Sequence, residues 1–359
     1  MKKRIKHLTN LLRFNRGVEI PVIGPLKAEW EVINTCNAKC TTCLHWKNKP
    51  DSSILSTSEG KNLIKQLAES GLLKLCITGG EPLLRKDLNE LIYFANGQGL
   101  SISLISNGLL ITERRARELV DVNLDTIFIS IDAAQANLND KIRGLNGYFD
   151  LAMAAIDNLK SMRRNAWPNI FIKATITKLN VNQLVSLAKL AVSKGIDGLS
   201  FQLAQILENE NFIFNKSLLL DAKNQEKLIE ELDKVINKYG KILTGSLEYY
   251  HAMRKFFEKP DYFKQYRSVS GFSYVVIDSW GKIFTNPAKI NKIGDIREDS
   301  FKNIWYGKTA NELRRRKEVQ VETSYLFDSI GSMSVNFSDL NLKRFFKLLR
   351  PIFHGAEFI

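Results

Sequence analysis

The pattern that most narrows the fold runs from Ala28 to Tyr239. Short apolar runs alternate there with amphipathic stretches, six times over. Strands are expected at Ala28–Asn34, Leu73–Thr78, Leu100–Ile105, Asp125–Ile131, Ile170–Ile176 and Gly198–Leu203. Helices are expected at Thr57–Ser70, Asp87–Asn96, Thr112–Val120, Tyr148–Arg164, Val181–Lys194 and Leu220–Tyr239. Ser56 or Thr57 is placed to cap the first of these helices, and Gly71 to stop it. Strand–helix alternation implies a parallel sheet joined by right-handed crossovers. Six units suit an open barrel better than a closed one of eight. The expected fold class is therefore α/β, a partial (βα)6 TIM-like barrel, followed by a small α+β C-terminal extension.

The polar and glycine-rich segments of this region fall just after strands. In parallel barrels the C-terminal strand ends share one face, and sites are built there. Cys36, Cys40 and Cys43 follow the first strand. Gly79, Gly80, Glu81 and Pro82 follow the second, Ser106 and Asn107 the third, Ser130 and Asp132 the fourth. Thr175 to Thr177 and Gln202 sit at the ends of the last two. All should converge despite their distance in sequence.

The cysteines form a C-x3-C-x2-C run. Thiolates are soft ligands, and one short loop can bring all three to a metal centre. A closed zinc site wants four ligands, as does an ordinary iron–sulfur cluster. Three thiolates on a cubane leave one iron open. The competing reading is a structural zinc site with His45 as fourth ligand. Cys76, inside the second strand, reads as a small buried apolar residue. Ser106-Asn107-Gly108 is also an ordinary turn signal, and Ser130 and Asp132 also suit turn or cap positions.

Cys36, Cys40 and Cys43, followed about forty residues later by Gly79-Gly80-Glu81-Pro82, resemble the cluster loop and the glycine-rich segment of the radical S-adenosylmethionine (SAM) superfamily. The resemblance implies one 4Fe–4S cluster held by the three cysteines, with its open iron binding the amino and carboxylate groups of SAM. One electron then cleaves SAM to methionine and a 5′-deoxyadenosyl radical, which takes hydrogen from a substrate. It also implies SAM contacts at Gly79, Gly80, Glu81, Pro82, Ser106, Asn107, Ser130 and Asp132. His45 and Trp46 would lie near adenine, and Arg143 would pair with the SAM carboxylate. Thr42 departs from the pattern, which often has an aromatic residue or histidine there. No residue is singled out as the group acting on the substrate.

After Tyr239 the alternation stops. A further strand is expected at Lys241–Leu247, a helix at Glu248–Glu258 and a β-hairpin over Tyr274–Asn286. With Ile293-Gly294-Asp295-Ile296 and the Ile304-Trp305 pair, this half resembles the C-terminal extension of SPASM and "twitch" radical SAM enzymes. Cysteines there normally bind auxiliary clusters. No cysteine follows Cys76, so the extension is expected to carry none and to shape the substrate pocket. Arg314-Arg315-Arg316-Lys317 reads as a solvated helix face.

The organisation expected is a basic amphipathic segment over 1–27, the barrel over 28–240, the extension over 241–320 and a tail over 321–359 bearing a basic amphipathic helix. About 27 residues before the barrel are too few for a leader-peptide-binding domain. Net charge is +14, with six basic residues and no acid in Met1–Arg16 and four against one in Leu340–Ile359. Basic excess concentrated at the ends makes a broad nucleic-acid face unexpected. The tail places Leu342, Phe345, Phe346, Leu349, Ile352 and Phe353 on one face. It reads either as docked on its own domain or as a peripheral contact with a membrane surface.

No apolar run reaches membrane-span length and no secretory signal is recognisable. Four cysteines, three of them clustered, suit reduced thiols and a cytoplasmic location, peripheral at the membrane if the tail binds there. The expected function is a radical SAM enzyme acting on a peptide, a sugar or another natural-product or carrier-linked small molecule, the basic balance favouring an anionic one. A reductase such as flavodoxin or ferredoxin would supply the electron. The alternative is a non-catalytic, metal-stabilised barrel that binds a partner.

Overall fold

Strands β1 (Lys27–Glu31), β2 (Lys74–Thr78), β3 (Ser101–Ser106), β4 (Thr126–Ser130), β5 (Asn169–Ile176) and β6 (Gly198–Leu203) pair in parallel, each with the next. The structure, a computed structural model, describes residues 2–204, 207–209, 212–214, 216–259, 268–287, 289 and 291–315. The basic amphipathic tail lies outside the described residues.

Helices α2 (Thr57–Ser70), α3 (Leu88–Gly97), α4 (Glu113–Asp121), α6 (Tyr148–Met162), α7 (Leu184–Ser193) and α8 (Ala222–Tyr239) return the chain between strands. Their ends follow local chemistry. Ser56 and Glu59 form a reciprocal capping box at the start of α2, and Gly71 ends it in a left-handed conformation at φ 106°. Thr112 and Asp221 cap α4 and α8 through their side-chain oxygens.

Strand periodicity separates two faces. Trp30, Leu75, Ile77, Leu104, Ile127, Ile129, Ile172 and Leu199 are fully buried and pack with the helices into one apolar core. Alternate positions turn the other way, into the lumen of the curved sheet.

The C-terminal half continues this sheet. Strands β9 (Tyr274–Ile277), β10 (Lys282–Phe284) and β11 (Lys292–Asp295) extend it, giving the order β11-β10-β9-β1-β2-β3-β4-β5-β6. β9 runs parallel to β1, and the expected hairpin is the antiparallel β9–β10 pair. Helix α1 (Lys2–Asn15) buries Phe14 in a second apolar cluster with Phe272, Tyr274, Val276 and Phe284. Helices α9 (Leu247–Glu258), α10 (Phe301–Tyr306) and α11 (Lys308–Arg315) complete the described chain.

Some segments differ from expectation. Lys241–Leu247 is not a strand. Gly240–Ile242 is a single 3-10 turn, Leu243 makes one bridge to Leu199, and Ser246 already caps α9. Val181–Gln183 is likewise a 3-10 turn ahead of α7. Helix α5 (Ala136–Arg143) was hidden by its composition, in which only two large apolar residues, Leu138 and Ile142, mark the helical period. A small hairpin of β7 (Leu207–Asn209) and β8 (Phe212–Phe214) was also unforeseen. Arg314 is not on a solvated face: its Nε donates to the Gly271 carbonyl at 2.6 Å, and its guanidinium stacks 4.4 Å from the Trp305 ring. Among the described residues, no helix is long and apolar enough to cross a membrane.

Candidate metal and nucleotide site at the strand ends

Cys36, Cys40 and Cys43 occupy an irregular loop after β1, and the chain grips that loop from three sides. On the first side are Gly79 and Gly80. The Gly80 N–H donates to the Ile33 carbonyl at 2.9 Å, and the Glu81 N–H to the Thr35 carbonyl at 2.8 Å. A Cβ on Gly79 would lie 2.3 Å from the Ile33 oxygen, and one on Gly80 only 1.8 Å from the Thr35 oxygen. Gly79 also holds φ at 134°. The double glycine therefore admits the chain's own lead-in to Cys36, where sequence alone suggested close approach to a ligand.

The second side is β3. Asn107 Nδ2 donates to Asn37 Oδ1 at 2.7 Å and reaches Cys36 Sγ at 3.8 Å. The third is the end of α5. The Thr41 N–H donates to the Ile142 carbonyl at 2.8 Å, and a Cβ on left-handed Gly144 would strike the Lys39 oxygen at 2.1 Å. Arg143 Nη1 approaches Cys40 Sγ at 3.9 Å.

Glu81 ties two of these sides together from a fully buried position. Its Oε1 accepts from the Leu83 N–H at 3.0 Å and the Ser106 hydroxyl at 2.9 Å, and its Oε2 from the Asn107 N–H at 2.7 Å. Burial raises its pKa to about 7, against the opposing pull of those donors. Pro82 opens the 3-10 turn that presents the Leu83 N–H. Ser106 is engaged on both sides, since its oxygen also accepts from the Gly108 N–H at 3.0 Å.

Asp132 and Arg143 form a second buried unit. Arg143 Nη2 donates to Asp132 Oδ1, and its Nε faces Oδ2, both at 2.8 Å. The carboxylate holds the guanidinium charged. Asp132 Oδ1 accepts also from the Thr175 N–H at 2.8 Å. Tyr148 lies beneath the guanidinium and donates to the Ser130 carbonyl at 3.0 Å. Arg143, expected to meet a carboxylate on the ligand, thus meets one on the protein.

His45 and Trp46 stand on the turn just beyond Cys43. Trp46 Nε1 donates to the Cys43 carbonyl at 3.0 Å, and His45 Nδ1 lies 3.3 Å from the Asn34 carbonyl. The extension braces the same stretch. Lys289 pairs with Glu31 at 2.5 Å, Trp280 Nε1 donates to Asp51 at 2.7 Å, and Arg297 binds Glu59 through Nε and Nη2.

Sequence reading missed several members. Asn139 Oδ1 accepts from the Asp132 and Ala133 N–H groups, while Asn180 Nδ2 donates to the Asp132 and Thr175 carbonyls. Both asparagines are fully buried. In sequence they look like loop residues. Only Gly144, closing α5, was a readable signal for the third grip.

The donor set suits an iron–sulfur cubane. All three cysteines are free thiols on one loop, and burial pushes the Cys36 thiol up to about 11, so metal binding would release its proton. Among the described residues, no three His, Cys, Asp or Glu side chains converge on the position of a single ion. A cubane takes each thiolate on a different iron and needs no such convergence.

Residues 30–200 match the family model described as Radical SAM superfamily. The chain is 33% identical to mycofactocin maturase MftC of Mycolicibacterium smegmatis over 183 residues, covering 51% of this chain and 45% of that protein. It is 36% identical to the AdoMet-dependent heme synthase of Oleidesulfovibrio alaskensis over 167 residues, covering 46% and 42%. The chain thus spans less than half the length of these two relatives. In fold it resembles the crystal structure of Streptococcus suis SuiB bound to S-adenosylmethionine, with a TM-score of 0.67 and 18% identity over 86% of this chain and 71% of that one.

Proposed function

We propose, from the match of residues 30–200 to the Radical SAM superfamily, that this chain is a radical SAM enzyme, cleaving SAM reductively to abstract hydrogen from a substrate. The cofactors of the family are a 4Fe–4S cluster and SAM. When bound, they supply a one-electron cleavage whose product is a 5′-deoxyadenosyl radical. Cys36, Cys40 and Cys43 would hold the cluster. The backbone at Gly79 and Gly80, with His45 and Trp46 on the next turn, would line the SAM position.

The observation that carries this reading is the three-sided grip on the cysteine loop. Glu81, Ser106, Asp132 and Arg143 spend their hydrogen bonds on protein groups, so their work is to hold the loop and the strand ends in one geometry. Preorganisation of this sort lets the cofactor do the chemistry while the protein orients it and excludes water.

The substrate is proposed to be a small molecule or a peptide, with electrons from a flavodoxin- or ferredoxin-type reductase and a cytoplasmic location. Peripheral contact with an anionic membrane surface belongs to the same proposal. It is favoured by α1, which exposes Ile5 and Leu12 among basic residues. The names of the matching relatives give no support to a non-catalytic barrel. The deciding experiment is anaerobic reconstitution. The wild-type protein should turn brown, bind iron for one cubane and release 5′-deoxyadenosine on addition of SAM and dithionite. Alanine at Cys36, Cys40 or Cys43 should abolish all three, and colourless wild-type protein holding one zinc would refute the proposal.

A further inference from the structure

Two of the three cysteine sulfurs face a side-chain N–H donor, and both donors come from outside the cysteine loop. Asn107 Nδ2, just after β3, lies 3.8 Å from Cys36 Sγ. Arg143 Nη1, at the end of α5, lies 3.9 Å from Cys40 Sγ. Cys43 is served instead by backbone N–H groups of its own turn, those of His45 and Leu44. Holding the loop does not by itself call for donors aimed at sulfur, because backbone bonds at Ile33, Thr35 and Thr41 already grip it.

Other partners fix how each donor points. The Asn107 amide oxygen accepts from the Leu109 N–H at 2.9 Å, so the nitrogen is the end turned to Asn37 and Cys36. Arg143 is held by one edge. Its Nε and Nη2 face the two oxygens of Asp132, each at 2.8 Å, and Nη1 projects from the opposite side of the guanidinium toward Cys40. The ion pair is therefore a dipole with its positive end on the sulfur. Asn107, Asp132 and Arg143 are all buried, where solvent screens such a field little.

Hydrogen bonds to sulfur and local charge are among the factors that set the reduction potential of an iron–sulfur cluster. One electron from the proposed reductase adds one negative charge to the cluster. A cation and an amide N–H aimed at its thiolates stabilise that added charge and ease reduction. We infer that Asn107 and Arg143 raise the reduction potential of the cluster held by Cys36, Cys40 and Cys43, and that Asp132 limits the rise. The inference rests on the radical SAM reading for the cluster itself. It gives the Arg143 charge a use that pairing with a SAM carboxylate does not cover.

The test measures the midpoint potential by EPR-monitored potentiometry on full-length protein, reconstituted anaerobically and kept free of SAM, so that turnover does not enter the readout. The variants are Asn107→Leu, Asp132→Asn, and Asp132→Asn combined with Arg143→Met. Asn107→Leu removes a donor at similar size and should lower the equilibrium constant for one-electron reduction at least fivefold. Asp132→Asn leaves the cation without its counter-charge and should raise that constant at least tenfold, about 59 mV for one electron. The double variant removes the whole dipole and should fall at least threefold below wild type. A loosened loop that merely admits water would shift all three the same way, so shifts of one sign, or potentials equal to wild type, overturn the inference. Should Asp132→Asn take up no cluster, the other two variants decide, both being expected below wild type. Failure of all three to take up a cluster assigns these residues to assembly alone and also overturns it. Wild-type protein that forms no cubane refutes the radical SAM reading, and the inference falls with it, whereas a cubane with unmoved potentials refutes the inference alone.

Discussion

Replacing Gly80 with alanine is the most direct trial of the idea that the double glycine serves the cysteine loop. The new Cβ would stand 1.8 Å from the Thr35 oxygen and 2.2 Å from its carbonyl carbon. To reach the 3.4 Å at which such contacts become ordinary, the Thr35 carbonyl would have to recede by about 1.6 Å. Both partners are backbone, so no side chain can turn aside. The Glu81 N–H bond to the Thr35 carbonyl, 2.8 Å long, would then be broken. Overpacking of this kind costs about 1–3 kcal/mol and the lost bond about 1 more. Cys36, the next residue after Thr35, would move with it, while Arg143 and the end of α5 keep hold of Cys40 and Thr41. Metal ligands tolerate errors of only about 0.2 Å, so the displacement is several times too large. The expected G80A protein is folded by circular dichroism, modestly destabilised to urea, and takes up little iron or cluster chromophore on anaerobic reconstitution. Gly97→Ala is the control, because nothing lies within 4 Å of a Cβ there. Wild-type iron content and absorption in G80A would refute the reasoning.

Other perturbations reach the remaining parts of the site. The native pKa of Glu81, raised by burial to about 7, lies above the ordinary glutamate value of 4.5, so between those limits the folded protein holds a proton that the unfolded chain releases. Its contribution to stability therefore falls by about 3 kcal/mol as pH rises from near 4.5 to near 7, and is flat above. Urea melts at pH 5 and 7.5 should show a smaller difference in Glu81→Gln than in wild type, and equal differences would defeat the assignment. Asp132→Asn leaves the Arg143 guanidinium buried without its counter-ion and should cost about 3–5 kcal/mol in urea unfolding. Adding Arg143→Met should recover part of that loss, and an Asp132→Asn protein as stable as wild type would remove the pair from the account. Wild-type protein should float with vesicles containing phosphatidylserine at low salt and not with neutral ones. A variant with Ile5 and Leu12 changed to Ser should float less, and equal flotation of both would end the role of α1 in membrane contact.

What the sequence revealed and what it hid divide along a physical line. The period of the apolar residues was readable because burial imposes it on every strand and helix. It placed the six strands and set Cys36, Gly80, Ser106 and Asp132 on one rim. In sequence each of those residues points to a ligand as readily as to a turn, because a rim residue there has no visible partner. In the folded chain the partners are other protein groups: Ile33 for Gly80, Glu81 for Ser106, Arg143 for Asp132. Such pairings join positions up to 103 residues apart, as Arg143 and Cys40 are, and no local propensity encodes them. A site of this design separates two demands. The residues that fix geometry hold one another and should tolerate little change in shape, whatever the ligand. The residues that choose the ligand must keep some capacity unspent, and they are to be sought among the partly accessible polar positions of the concave face rather than at the rim.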